Sequence, residues 1–447
     1  MKWFVAVLIA TLFCLTNLPW TLDDYDQAKQ AFTSFEMVKE GHWLYQHTPT
    51  EKIATKPPLV GWISAGIYEV TRSWDLAWRL PSLLAAAALA FALTRNAGLV
   101  ALSAFGLNLL SPRLATLVRT DMPLALVVFL IGLRIWQKLR SGEAWTTWDR
   151  FIIFLLLTAG MLIKGPIVYA FLLPGLLAFV WLEGRNAWPG WWPWIAALAV
   201  FLLWVAGGIK FVPGFYEQVV QREFLGRFGE TVHRPQAFYF YVVHLLHKFA
   251  PWSILLVALA IVQRRVRPAP EVIWLICWSV GGLLLMSVIP SKRVDRIFPI
   301  VPPLCMLVAA QAGRLTSNRS KWLLATTVVA CFFTSGYAAQ RVLRSYHADD
   351  AALVKFGARI RREVPRFEVI GGREEGLLLY LRKTRFIKPE EAIARWNAGE
   401  LDALVAPEED VPRLIAEMRG ASKSNRRASI RVNDEQRAYA LIVRAPS

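Results

Sequence analysis

The chain has 447 residues, 55% of them hydrophobic, with 20 tryptophans and a formal net charge of +18. That is more apolar material than one soluble core uses, and it falls in long blocks, which excludes an ordinary soluble globular domain. The charge would suit a nucleic-acid binder, but the basic residues lie between the apolar blocks, where membrane topology puts them, so no nucleic-acid partner is expected.

A helix crossing the hydrocarbon layer needs roughly 20 apolar residues. The first block, 3–20, follows Lys2 and has the look of a signal peptide. No small-residue cleavage pattern comes after it and further blocks follow, so a retained first helix is expected. The remaining blocks run over 80–95, 97–112, 121–137, 151–163, 166–182, 191–209, 238–261, 271–290, 297–312 and 322–339. The spacing thus predicts a mostly α, polytopic membrane protein with about 11 spans. The segment PPLVGWISAGIYEV (57–70) is short and aromatic, which predicts a place along the outer interface.

With the N-terminus in the cytoplasm, the inner loops are Arg95, QKLRSGEAWTTWDR (137–150), Arg185, QRRVRP (263–268) and RLTSNRSK (314–321). Nearly all are rich in Lys and Arg, as the positive-inside bias requires. An odd number of crossings then puts the C-terminus outside. The four cysteines lie in apolar segments without a CxxC pair, so neither a zinc site nor a disulfide framework is expected from them.

From about 341 the long apolar blocks end. Short runs, FEVIGG (367–372), GLLLYLR (376–382), DALVAP (402–407) and YALIVR (439–444), read as strands. PEEAIARWNAG (389–399) and DVPRLIAEMRG (410–420) read as helices between them. The expected organisation is a membrane domain over 1–340 and a small soluble α/β domain over 341–447, facing the periplasm.

The outer loops collect the unusual residues. Asp23, Asp24 and Asp26 follow the first block, and ATKPPL carries Lys56. SPRLATLVRTDMPL (111–124) carries Arg119 and Asp121, IKGP carries Lys164, and the long 210–241 loop carries His233. SKRVDR (291–296) sets Lys292, Arg293 and Arg296 on the side that usually lacks bases. Cations at headgroup depth would bind a lipid-linked phosphate and stabilise it as a leaving group. Carboxylates nearby would orient or deprotonate an acceptor hydroxyl. Solvated loop charges and snorkelling at helix ends are the plainer account of the same residues.

The ordered set DQAKQAFTSFEMVKEGHW, TKPPLVGW, RTDMPL, IKGP, HRPQAFYFY and SKRVDRIFPIVPP resembles the GT-C membrane glycosyltransferases that use polyprenyl-phosphate sugars. In particular it resembles the group of the lipid A aminoarabinose transferase and the bacterial protein O-mannosyltransferase-like enzymes. The match covers about 300 residues of the membrane part; no single piece is specific, but the order is. The resemblance implies a fold of GT-C type, in a bacterial inner membrane, with the active site on the periplasmic side. It implies transfer of a sugar from a polyprenyl-phosphate donor to a lipid or protein acceptor of the envelope by a single inverting displacement.

Register against Glu36-Met37 and Trp43 puts the family's leading acid on Asp26, with Lys29 in place of the arginine three positions on. Residues three apart share a helix face, and Asp24 is placed to cap that helix. The resemblance makes Asp26 and Asp121 the catalytic candidates. Lys29, Lys56, Arg119, Lys164, His233, Lys292, Arg293 and Arg296 are the candidates for binding the lipid phosphate and sugar. The chain departs from the family at Thr55, where a glutamate precedes KPP, at GHW (41–43) in place of GDW, and at Arg296, often tyrosine. No cofactor is expected. A divalent metal is left open, with His244 and His247, three apart, the pair considered for it. A polyprenyl-lipid transporter and a non-catalytic envelope scaffold stand as alternatives.

Overall fold

The computed structural model describes residues 2–22, 24–184, 188–225, 236–315, 319–347, 352–372, 374–432 and 435–445. The chain begins with α1 (Lys2–Leu15), α2 (Tyr25–Glu40), α3 (Leu59–Thr71), α4 (Trp74–Gly106) and α5 (Ser111–Ala115). Then come α6 (Asp121–Ser141), α7 (Thr147–Lys164), α8 (Ile167–Glu183) and α9 (Trp192–Phe211). A π-helical stretch, Tyr216–Leu225, precedes α10 (Phe240–Lys248), α11 (Trp252–Val262) and α12 (Pro270–Val288). A 3-10 turn, Val294–Ile300, leads into α13 (Val301–Gly313) and the long α14 (Arg319–His347). The rest alternates: α15 (Ala352–Glu363), β1 (Phe367–Val369), α16 (Glu375–Leu381), α17 (Pro389–Asn397), β2 (Ala403–Pro407), α18 (Val411–Glu417), β3 (Ala421–Val432) and β4 (Glu435–Arg444).

Two compact units result. Unit 1 comprises Met1–Asn17, Thr55–Val60 and Arg79–Arg341; unit 2 comprises Leu18–Ala54, Gly61–Trp78 and Val342–Ser447. Composition alone sets 341–447 apart by itself, but unit 2 also takes in most of the first polar loop, because α2 packs on α16. There the Leu22 amide donates to the Tyr380 hydroxyl at 2.8 Å and Thr384 donates to Glu40.

Six helical segments among the described residues are long and apolar enough to cross a membrane: Trp74–Gly106, Asp121–Ser141, Trp192–Phe211, Pro270–Val288, Val294–Gly313 and Arg319–His347. Leu202, Leu203, Ile209, Phe332 and Phe333 are exposed on two of them, a surface that suits lipid and not water. The blocks 80–95 and 97–112 lie largely within α4, which breaks at Gly98 (φ 77°, ψ −167°), a conformation open to glycine. The block 238–261 does not cross straight. Its helices α10 and α11 meet at a 103° bend, where Pro251 can neither continue the ladder nor let its predecessor stay comfortably helical. The segment 57–70 folds as the 13-residue α3, short of a crossing.

Helices α8 and α12 approach at backbone distance: a Cβ added to Gly281 would stand 2.4 Å from the Gly175 nitrogen, the small-residue contact by which membrane helices pack. Trp274 stacks on Trp278 and donates from Nε1 to the Gly132 carbonyl at 3.0 Å, tying α12 to α6. The α6–α7 hairpin is closed by Asp149, buried and paired with Arg134 and with Lys138 at 2.8 Å. Asp149 also forms a capping box with Thr146.

Unit 2 holds a four-stranded sheet in the order β1-β2-β4-β3. β1 and β2 are parallel, with Phe367 opposite Ala403; β4 runs antiparallel to both β2 and β3, with Leu404 opposite Ile442 and Ala428 opposite Tyr439. Trp396, Leu404, Leu414 and Ile442 sit in its core. The run GLLLYLR, expected as a strand, is instead the helix α16. Leucine favours helix, and a short, fully buried apolar run carries no period that separates the two.

Candidate active site

Several sequence candidates of unit 1 come together through helix ends. Asp121 opens α6, where the helix dipole favours a carboxylate, and Lys164 closes α7, where it favours a cation. Gly165 (φ 77°) ends α7 there, and the Lys164 ammonium donates to Asp121 Oδ1 at 2.5 Å. Asp121 is buried and Lys164 nearly so.

Two residues before α6, Arg119 donates to the carboxylate of Asp295 in the 3-10 turn, which packs against α6. Arg293 holds the same carboxylate, from Nε to Oδ1 at 3.3 Å and from Nη2 to Oδ2 at 3.0 Å. Arg296 donates from Nη1 to the Ser291 carbonyl at 2.8 Å and to its hydroxyl at 2.9 Å. Lys292 donates from Nζ to the Gln236 carbonyl at 3.0 Å, and the Arg293 amide to the Tyr241 hydroxyl at 3.4 Å. Burial holds the Lys292 ammonium below the usual lysine pKa.

Arg119 and Arg293 gather on Asp295 and Lys164 on Asp121, with Lys292 and Arg296 on the same 291–296 loop, a group of cations built on α6, α7 and that loop. A half-desolvated group of this kind suits a multiply charged anion, since each fixed cation acts there through a lower dielectric than water. Sequence inspection passed over Asp295. The one signal for it is an acid set among three bases in SKRVDR; its job as a shared anchor follows only from the pairing with Arg119, 176 residues away.

Lys56 belongs to unit 1 in the segment 55–60, half-buried ahead of Pro57 and Pro58. Asp26 and Lys29 belong to unit 2, half-buried on the first turns of α2. Asp24 is the N-cap of that helix, its Oδ1 accepting from the Asp26 amide at 2.9 Å. His233 and Asp23 lie outside the described residues. Among the described residues, one set of three metal-ligating side chains converges: Glu36, His42 and His47 in unit 2. His244 and His247, on α10, are not in it.

No protein-family model matches the chain. It is 27% identical over 338 residues to the undecaprenyl phosphate-α-4-amino-4-deoxy-L-arabinose arabinosyl transferase 2 of Proteus mirabilis, covering 68% of this chain and 58% of the relative. It is likewise 27% identical over 333 residues to arabinosyl transferase 1 of Sodalis glossinidius, with the same shares. The chain therefore spans a little under three fifths of these relatives' length. Among solved structures, ArnT from Cupriavidus metallidurans bound to undecaprenyl phosphate superposes with a TM-score of 0.70 at 17% identity, covering 98% of this chain and 97% of that one. The same protein without the lipid gives 0.66. The chain has the GT-C fold of the aminoarabinose transferases, and over two thirds of its length it resembles them in sequence.

Proposed function

We propose that the chain is a membrane glycosyltransferase that moves a sugar from undecaprenyl phosphate, or a related polyprenyl phosphate, to a lipid A-like acceptor. The reaction faces the periplasmic side of the inner membrane. The observation that carries this is the group of cations gathered by α6, α7 and the 291–296 loop. The sequence likeness to arabinosyl transferases named for an undecaprenyl-phosphate donor supports it.

The chemistry explains the need for those cations. A polyprenyl-phosphate sugar is a phosphodiester with one negative charge. As the acceptor oxygen attacks the anomeric carbon, the bond from that carbon to the phosphate oxygen breaks, and the departing polyprenyl phosphate gains a second charge. Fixed cations therefore stabilise the transition state more than the bound donor, which is what catalysis requires. Lys56, Lys164, Lys292 and the three arginines take that role, with Lys29 and His233 contacting donor or acceptor. Asp26 accepts the proton of a hydroxyl acceptor, or only orients an acceptor that is already anionic. Asp121 holds Lys164 in place and acts beside it.

The test uses the purified full chain in nanodiscs with a panel of polyprenyl-phosphate sugars and extracted envelope lipids, following released polyprenyl phosphate and glycosylated product by mass spectrometry. Release with one donor, lost in Asp26→Asn, supports the reading. Saturable donor binding without release from any donor would replace it with a lipid transporter.

A further inference from the structure

We infer that Glu36, His42 and His47 form a binding site for one divalent metal ion of the zinc type, built into the loop that follows α2. The chain is folded to bring these three together. Gly41 leaves α2 in the left-handed region (φ 80°, ψ 13°), its amide bonded to the Met37 carbonyl, and the reversal lays His42 back over Glu36. Gln46, buried, donates from Nε2 to the carbonyls of His42 at 3.2 Å and Trp43 at 3.0 Å. Trp62 donates to the Trp43 carbonyl at 2.7 Å. His47 is held by a β-bridge to Ile53. The two imidazoles meet edge to face, 4.6 Å between centroids.

The atoms that converge are ligand atoms. His42 Nδ1 lies against Glu36 Oε1, His47 Nδ1 stands 3.5 Å from the same oxygen, and the two Nδ1 atoms are 3.3 Å apart. In a tetrahedral zinc site with bonds of about 2.0–2.1 Å, neighbouring ligand atoms stand about 3.3 Å apart. The spacing is that of ligands around one ion.

Protons alone satisfy the cluster poorly. Two facing Nδ1 atoms share one proton at most, and if both carry protons the N–H groups oppose each other. Glu36 is 3% exposed, and its second oxygen, Oε2, is buried with no hydrogen-bond partner. A buried carboxylate with an orphaned oxygen is expensive unless a cation sits beside it. The trio lines a cavity of about 790 Å³ shared with Glu40, Glu51 and Lys383, from which water can complete the coordination. Two imidazoles and a carboxylate are a donor set suited to zinc. A bound ion ties the last turn of α2 to the 42–53 loop.

The full-length protein in detergent is stripped with a chelator and titrated with Zn²⁺ by calorimetry and with Co²⁺ by visible absorption, with no sugar donor present. One equivalent of each ion is expected, with ligand-field bands for Co²⁺. Both signals disappear in H42Q/H47Q, the affinity falls at least about tenfold in His47→Gln, and H244Q/H247Q binds as the wild type does. Both imidazoles are substantially exposed, so these glutamine variants keep the fold, which circular dichroism verifies. A wild-type protein that takes up neither ion, or uptake unchanged in H42Q/H47Q, overturns the site. Because binding is read without turnover, the outcome is independent of the proposed transfer reaction.

Discussion

The Lys164 ammonium and the Asp121 carboxylate, 43 residues apart in the chain, meet at 2.5 Å where the end of α7 reaches the start of α6. Removing one partner of a buried pair leaves the other charge uncompensated, at about 3–5 kcal/mol. Asp121→Ala is therefore expected to lose stability on that scale, while D121N/K164M, which removes both charges, recovers most of it. Turnover should stay at least about a hundredfold down in both, since a group acting in proton transfer or charge stabilisation is worth that much or more. Thermal unfolding in detergent and donor release read the two effects apart. Restored turnover in the double variant would make the pair structural only.

Asp295 is the shared anchor of Arg119 and Arg293. Asp295→Asn raises the net charge of the cluster by one, which by itself favours an anionic donor. It also frees two guanidiniums from their fixed positions, and charge-assisted bonds of about 1.5–3 kcal/mol each are lost. Positioning outweighs the added charge. We expect KM for the donor to rise about tenfold or more, with kcat falling less, and Asp295→Glu to recover part of the loss. A lower KM in Asp295→Asn would mean that net charge, not placement, governs binding.

Much of the architecture was legible from hydropathy, because membrane insertion acts on continuous apolar length and that is a local property of the chain. The polar loops drew notice for a related reason: bases on a side expected to lack them need an explanation. What could not be read is what depends on partners far away in sequence. Asp295 is unremarkable until Arg119 closes on it. The breaks inside 80–112 and 238–261 turn on single residues, Gly98 and Pro251, within blocks whose mean hydropathy hides them. β3, ASKSNRRASIRV, carries almost no apolar alternation, and it forms because β4 offers it an edge, with a register shift between Lys423 and Arg427. His42 reads only as a departure from a motif and His47 carries no signal at all; the turn at Gly41 lays His42 onto Glu36.

Lys292 gives the cluster a pH signature. Burial holds its pKa below the usual lysine value, so as pH rises it loses its proton, and the site loses one positive charge, earlier than an ordinary lysine would. Donor affinity should therefore begin to fall below the normal lysine range. Lys292→Arg, which keeps its charge throughout, should move that limb upward. The measurement is the donor Kd between neutral and strongly alkaline pH. An unchanged limb in Lys292→Arg would assign the titration to another group.

Asp24 and Asp26 stand two residues apart and are expected to behave in opposite ways. Asp24 Oδ1 accepts from the Asp26 amide and caps α2. Asp24→Ala should reduce stability by about 1 kcal/mol, the ordinary worth of an N-cap, and Asp24→Asn or Asp24→Ser should retain nearly all of it, because those side chains also accept that bond. None of the three should lower kcat more than a few-fold once the protein is folded. Asp26 lies inside the first turn, where its backbone amide donates to the Asp24 cap. Asp26→Asn keeps the shape and hydrogen-bonding capacity of the side chain but removes its basicity, so stability should hold while transfer to a hydroxyl acceptor drops by about a hundredfold or more. Comparing a hydroxyl acceptor with a phosphorylated one then divides the two roles. A loss confined to the hydroxyl acceptor makes Asp26 the base, an equal loss with both makes it an orienting group, and full activity with both removes it from the site.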